Sequence, residues 1–165
     1  TSSKNILSDI LNVKYNACPT PKNFNTPYGL INTVNNYLDK FTDLFIAEMG
    51  AFKKGEIKEL CDLVKPKYGI LTKIGTAHLE SFGSEENIIE GKFELIESIP
   101  SDGFAILNGD DPKQVNYHLK NKVKTITSEP SPNKEATNSL SLGSSFFKTG
   151  ITTVSSLNFS PHSVQ

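Results

Sequence analysis

The side chains in this sequence best suited to chemistry stand just beyond apolar runs. Glu48 lies near the end of "DLFIAEM" (43–49), His78 follows "YGILTKI" (68–74) within four residues, and Asn108 and Asp110 follow "GFAIL" (103–107). A carboxylate and a neutral imidazole are both metal ligands, the carboxylate suiting a hard ion such as Mg²⁺. Each also has a plainer use, since a histidine after a strand serves as a structural hydrogen-bonding group and a lone glutamate pairs with a lysine. Lys92 raises the same choice. In "EENIIEGKFELIESI" (85–99), Ile88, Ile89, Leu95, Ile96 and Ile99 share one helical face, while Glu90, Glu94 and Glu97 lie opposite. Lys92 falls within the apolar face, so either its ammonium snorkels to solvent or its amine reaches a site. In the second case desolvation favours the neutral nucleophile. Such an amine takes up CO₂ as a carbamate, which turns a cation into a carboxylate-like metal ligand.

For these groups to meet, the apolar runs must be neighbouring strands. Runs without polar alternation are buried on both faces, and helical patterns between them make the strands parallel. Strands are expected over 43–49, 68–74, 103–107 and 123–127, and helices over 2–13, 56–64 and 85–99, with a further helix after Pro112. In the first helix Ile6, Leu7, Ile10 and Leu11 share a face. The expected fold class is α/β, a three-layer, mostly parallel sheet flanked by helices. Ligands of such sheets bind beyond the carboxyl ends of the strands, where Glu48, His78 and Asn108 stand. The loop "CPTPKNFNTPYG" (18–29) carries three prolines and two asparagines that set turns and a helix start. Its Asn25 and Thr26 also offer donors to an anion at that helix N-terminus.

Composition narrows the function classes. The 165 residues, 36% of them hydrophobic, suffice for one core. A net charge of -1, from 17 basic and 18 acidic residues, gives no bulk attraction to nucleic acid or membrane. Cys18 and Cys61 match neither a disulfide framework nor a metal spacing, which fits packing roles in a reducing, cytoplasmic setting. No apolar run approaches transmembrane length, and His118 and His162 show no partner pattern. The domain is expected to span 1–127. Beyond it, 128–165 is rich in Ser and Thr, and "NSLSLGSSFF" (138–147) fits a hairpin or disorder equally.

Together, "TPKNFNTPYGL", "IAEMGAFKKGEIKELCDLVKPKYGILTKIGTAHLESFGSEENI", "GKFELIES" and "AILNGDDP" resemble the central, ATP-binding domain of the Mur ligases over residues 1–127. The wording around Glu48 and His78 is most similar to members that attach D-alanyl-D-alanine to a UDP-N-acetylmuramoyl-tripeptide. The resemblance implies ATP and Mg²⁺ as cofactors. It implies that Glu48 holds the Mg²⁺ shared with the ATP phosphates, and that His78 and carbamoylated Lys92 hold a second. It also implies that Asn25 and Thr26 contact the UDP-muramoyl peptide. Asn108 and Asp110 match a family motif assigned to the nucleotide. The implied reaction phosphorylates the substrate carboxylate, and the amine of D-alanyl-D-alanine then displaces phosphate from the acyl-phosphate.

The resemblance has gaps. The family's glycine-rich phosphate loop ends in Gly-Lys-Thr, of which only Thr1 has a counterpart here, assigned to nucleotide and metal. The strand before that loop, central to the family sheet, has no counterpart, nor do the N-terminal uridine-nucleotide domain and the C-terminal amino-acid domain. A fragment is therefore expected, with little or no ligase activity alone and an uncovered sheet flank open to pairing. Two other readings compete: a folylpolyglutamate synthase-like ligase, which shares the fold and metal arrangement, and a non-catalytic degenerate copy.

Overall fold

The structure, a computed structural model, describes residues 2–128 and 151–156. Five strands run parallel and alternate with helices: β1 (Ala17–Pro19), β2 (Leu44–Met49), β3 (Tyr68–Leu71), β4 (Phe104–Leu107) and β5 (Lys124–Thr127). The helices are α1 (Ser2–Leu11), α2 (Pro27–Tyr37), α3 (Glu56–Val64), α4 (Leu79–Phe82), α5 (Glu85–Ser98) and α6 (Pro112–Val115). A sixth strand, β6 (Ile151–Ser156), completes a sheet of order β1-β2-β6-β3-β4-β5.

The layers follow from which side chains each strand turns to which side. On one side Phe45, Ala47, Met49, Leu71, Ala105 and Leu107 meet Leu60 and Cys61 of α3 and Phe93, Leu95 and Ile96 of α5. On the other, Ala17, Ile46 and Val154 meet Leu7 and Leu11 of α1. β2 is thus buried on both faces, as its unbroken apolar run requires. The helix boundaries are set locally. Ser84 and Thr26 accept hydrogen bonds from Asn87 N and Gly29 N as side-chain caps of α5 and α2, and Pro27 opens α2, where its missing N–H has no helical partner to lose. α3 opens on Gly55 at φ +97, and Glu94 of α5 accepts from Gly55 N at 2.6 Å and Lys58 N at 3.0 Å. A carboxylate from a neighbouring helix thereby caps α3 and opposes its dipole.

Two expectations need correction. The apolar face proposed for α1 is rotated: Lys4 and Ser8 are buried, Leu7 and Leu11 are half-buried, and Ile6 and Ile10 are 57% and 63% exposed. The uncovered flank is also absent. β6 lies between β2 and β3, antiparallel to both, from Leu44↔Ser156 to Met49↔Ile151 on one side and from Tyr68↔Val154 to Leu71↔Ile151 on the other. Its Thr152, Thr153, Val154 and Ser155 are buried, and two of its hydroxyls return to backbone carbonyls, Thr153 Oγ1 to Ala47 O at 3.4 Å and Ser155 Oγ to Val64 O at 3.1 Å. Self-satisfied hydroxyls let a polar strand occupy the middle of a sheet. The stretch 138–147 and His162 lie outside the described residues. Among the described residues no helix is long and apolar enough to cross a membrane.

If β6 is integral to the sheet, Val154→Asp buries an unpartnered carboxylate and lowers stability by about 3 kcal/mol in urea unfolding. Ile126→Asp, on the exposed edge strand β5 where Ile126 is 46% exposed, should move it by no more than about 0.5 kcal/mol. Equal effects of the two would refute the placement of β6.

Candidate active site

Glu48 is the next-to-last residue of β2 and is 9% exposed. Its amide donates to Thr20 Oγ1 at 3.3 Å, and its Oε2 lies 3.7 Å from the Lys4 ammonium. Burial lowers the Lys4 pKa, and the neighbouring Glu48 pushes it back up. Two residues on, Gly50 donates its N–H to Asn25 O at 2.9 Å, and a Cβ there would stand 2.9 Å from Asn25 Nδ2. A side chain at Gly50 would have to displace the Asn25 amide, which sits directly on the end of β2. Thr26 follows and spends one lone pair as the cap of α2.

The β3–α4 segment is shaped from the next strand along. Asp111 Oδ2 accepts from Ile74 N at 2.8 Å, and Asn108 Nδ2 donates to Thr72 O at 2.7 Å. Held so, the segment delivers His78 in the left-handed region at φ 67, a conformation that costs a non-glycine residue on the order of 1 kcal/mol and concentrates at functional sites. The His78 carbonyl accepts from Ser81 N and Phe82 N, starting α4, and its exposed ring meets Phe52 edge-on at 4.5 Å.

Lys92 comes from α5. It is half-buried, makes no ion pair among the described residues, and burial alone holds its pKa below the usual lysine range. Its neighbours on the helix do form surface pairs, as Glu90 does with Lys54. The side chain does not run free along the surface; it lines a cavity.

That cavity, of 250 Å³, brings together Asn25, Thr26, Glu48, His78 and Lys92. Five of the eight predicted site residues therefore line one cavity. Asn108 and Asp110 do not line it. Asn108 instead organises the neighbouring loop, accepting from Asp110 N at 3.0 Å. Thr1 lies outside the described residues. Sequence reasoning missed Phe52, Glu56 and Glu59, which also line the cavity. Glu56 and Glu59 stand three apart in the first turn of α3, where acidic residues are ordinarily explained by the helix dipole. Glu56 also accepts from Phe52 N at 2.7 Å and so closes the wall.

The lining is acidic: Glu48, Glu56 and Glu59 face a single lysine whose charge is disfavoured. Among the described residues no three of His, Cys, Asp and Glu converge as a ready metal cage. The donor set of Glu48, His78 and Lys92 fits a hard divalent cation once Lys92 carries a carboxylate.

The family model for the Mur ligase middle domain matches residues 1–163. The UDP-N-acetylmuramoyl-tripeptide--D-alanyl-D-alanine ligase of Bacillus subtilis (strain 168) is 37% identical over 112 residues, 68% of this chain and 24% of that protein. The Mycobacterium leprae (strain TN) protein of the same name is 38% identical over 112 residues, again 68% of this chain and 22% of its own length. Among solved structures, MurF from Acinetobacter baumannii superposes with a TM-score of 0.71 at 27% identity, covering 77% of this chain and 28% of that one. The MurF ligase from Thermotoga maritima in complex with ADP gives 0.67 at 33% identity, covering 76% and 29%. The chain thus spans about a quarter of the length of the relatives it matches. On the match across residues 1–163, with the sheet and the strand-end cavity described above, this chain belongs to the Mur ligase middle-domain family.

Proposed function

We propose that this chain forms the ATP- and Mg²⁺-handling part of a cytoplasmic ligase that joins the carboxylate of a UDP-N-acetylmuramoyl-tripeptide to the amine of D-alanyl-D-alanine. The observation that carries this is the convergence of Asn25, Thr26, Glu48, His78 and Lys92 on one acid-lined cavity at the strand ends. The ADP complex of the Thermotoga relative supports the nucleotide, and two free cysteines accord with a reducing compartment.

Glu48 would hold one Mg²⁺, and His78 with carbamoylated Lys92 would hold a second Mg²⁺. When bound, Mg²⁺ would neutralise negative charge on the phosphoryl group passing from ATP to the substrate carboxylate. The residues of this chain do the rest. The uncharged Lys92 amine attacks CO₂, forms a C–N bond and releases a proton, leaving an anion where a cation would repel a metal. Asn25, seated on Gly50, and Thr26 at the start of α2 orient the muramoyl peptide in the same cavity. Thr1, Asn108 and Asp110 are proposed on the nucleotide side.

Dissolved in ¹³C-bicarbonate, the protein should show a carbamate carbon signal that Lys92→Gln abolishes. Because burial lowers the lysine pKa, the neutral amine is available at pH values where an ordinary lysine is fully charged. The signal should therefore grow as pH rises, well below the pH an exposed lysine needs. Wild-type protein without this signal would remove the carbamate from the proposal.

Glu48→Gln and His78→Gly should each weaken Mn²⁺ binding, read by electron paramagnetic resonance, about tenfold or more. His78→Gly should do so with little change in the unfolding midpoint, since relief at φ 67 offsets the added freedom of the unfolded chain. Unchanged Mn²⁺ affinity in both variants would exclude these ligands.

Titration with UDP-N-acetylmuramoyl-tripeptide should shift the amide resonances of Asn25 and Thr26, whereas a folyl-glutamate should leave them in place. The reverse pattern would favour the folylpolyglutamate synthase-like alternative.

A further inference from the structure

Among the described residues, the largest charged side chain sealed inside the protein is Lys4, at 1% exposure. Its ammonium donates to Thr20 O at 2.5 Å and Lys22 O at 2.7 Å, and faces Glu48 Oε2 at 3.7 Å. The ammonium thus donates two hydrogen bonds to backbone carbonyls and forms an ion pair with the Glu48 carboxylate, joining two other parts of the chain. The two carbonyls belong to a tight turn. Phe24 N closes it on Pro21 O at 3.0 Å, and Lys22 within it has φ 46, a conformation that a side-chain-bearing residue keeps only when something holds it. Three residues further on, that turn delivers Asn25 onto Gly50, two residues beyond Glu48. A methionine would fill the same volume without burying a charge, so volume alone does not explain the lysine.

We propose that Lys4 is a positioning residue that fastens the Glu48 carboxylate and the Thr20–Asn25 turn into one unit, so that cation binding at Glu48 and substrate binding at Asn25 are coupled. This deepens the ligase reading and rests on it. Coupling through a shared clamp is reciprocal: whatever a cation does to the affinity for substrate at Asn25, substrate does to the affinity for the cation.

The test has a metal-free part and a metal part, both on this chain. Without metal, the Lys4 ammonium should give a ¹H–¹⁵N resonance protected from solvent exchange, and Glu48→Gln should shift it. Lys4→Met should remove that resonance and speed hydrogen exchange at the Asn25 and Gly50 amides. If Lys4→Met fails to fold, the wild-type and Glu48→Gln spectra still decide. An ammonium in fast exchange, or one indifferent to Glu48→Gln, overturns the proposal.

With metal, Mg²⁺ should shift the Lys22 and Asn25 amides in the wild type and not in Lys4→Met, and the Mn²⁺ dissociation constant of Lys4→Met should rise about tenfold. The sign is diagnostic, because removing a nearby positive charge would by electrostatics alone tighten cation binding. A constant that stays level or falls in Lys4→Met overturns the positioning role. An intact metal-free pattern with no wild-type response to Mg²⁺ would instead fault the ligase reading.

Discussion

A carboxylate 9% exposed at the end of a strand buried on both faces is tolerated only beside compensating partners. For Glu48 one of these is the Lys4 ammonium, and that pairing fixes the rotation of α1. A helix that must turn residue 4 toward the sheet also turns 7, 8 and 11 inward, which leaves 6 and 10 outside. Leu7 and Leu11 still pack on the sheet, so the apolar contact is retained while Ile6 and Ile10 remain in solvent. Hydrophobic periodicity favoured the other rotation because it counts apolar side chains and gives no weight to a buried ion pair.

The middle of the sheet follows a different logic. Among the described side chains of β6, Val154 is buried and apolar, and Thr152, Thr153 and Ser155 are buried beside it. Its stabilisation comes from ladders to strands on both sides and from hydroxyls returned to Ala47 O and Val64 O. The Val64 contact also occupies a carbonyl in the last turn of α3, a group that helix geometry leaves without an internal partner. Among the described residues the sheet edges are β1, three residues long, and β5, which carries Lys124, and short or lysine-bearing edges resist further pairing.

Much of this arrangement is legible in the sequence. The apolar runs at 43–49 and 103–107 become β2 and β4 nearly residue for residue, and 56–64 and 85–98 are helices as their periodicity requires. Glu48 and His78 do meet at one cavity, because parallel strands end on the same side. What escaped detection lacks a periodic signal. β1 spans three residues, α4 is a single turn begun by the His78 carbonyl, and β6 is defined by its partners rather than by its own hydropathy. Glu56 and Glu59 escaped because an acidic first helical turn already has an explanation in the helix dipole. Asn108 shows a structural use that its position beyond a strand end did not disclose: its side chain joins the β3 and β4 loops by donating to Thr72 O and accepting from Asp110 N.

The helix α5 joins these parts into a working geometry. Glu94 caps α3, whose first turn supplies Glu56 and Glu59; Gly91 lets Phe82 of α4 approach so closely that a Cβ would stand 2.8 Å from its ring; and Lys92, between them in sequence, faces the cavity. A single rigid helix therefore sets the separation between the acidic wall, the segment bearing His78 and the lysine. Such a site gains from an amine that can change sign. As a cation, Lys92 would balance Glu56 and Glu59 and repel a metal; as a carbamate it adds a fourth negative group to the wall. The desolvation that makes the ammonium unfavourable inside the cavity is thus the same property that, in the proposed carbamoylation, would ready the amine for CO₂.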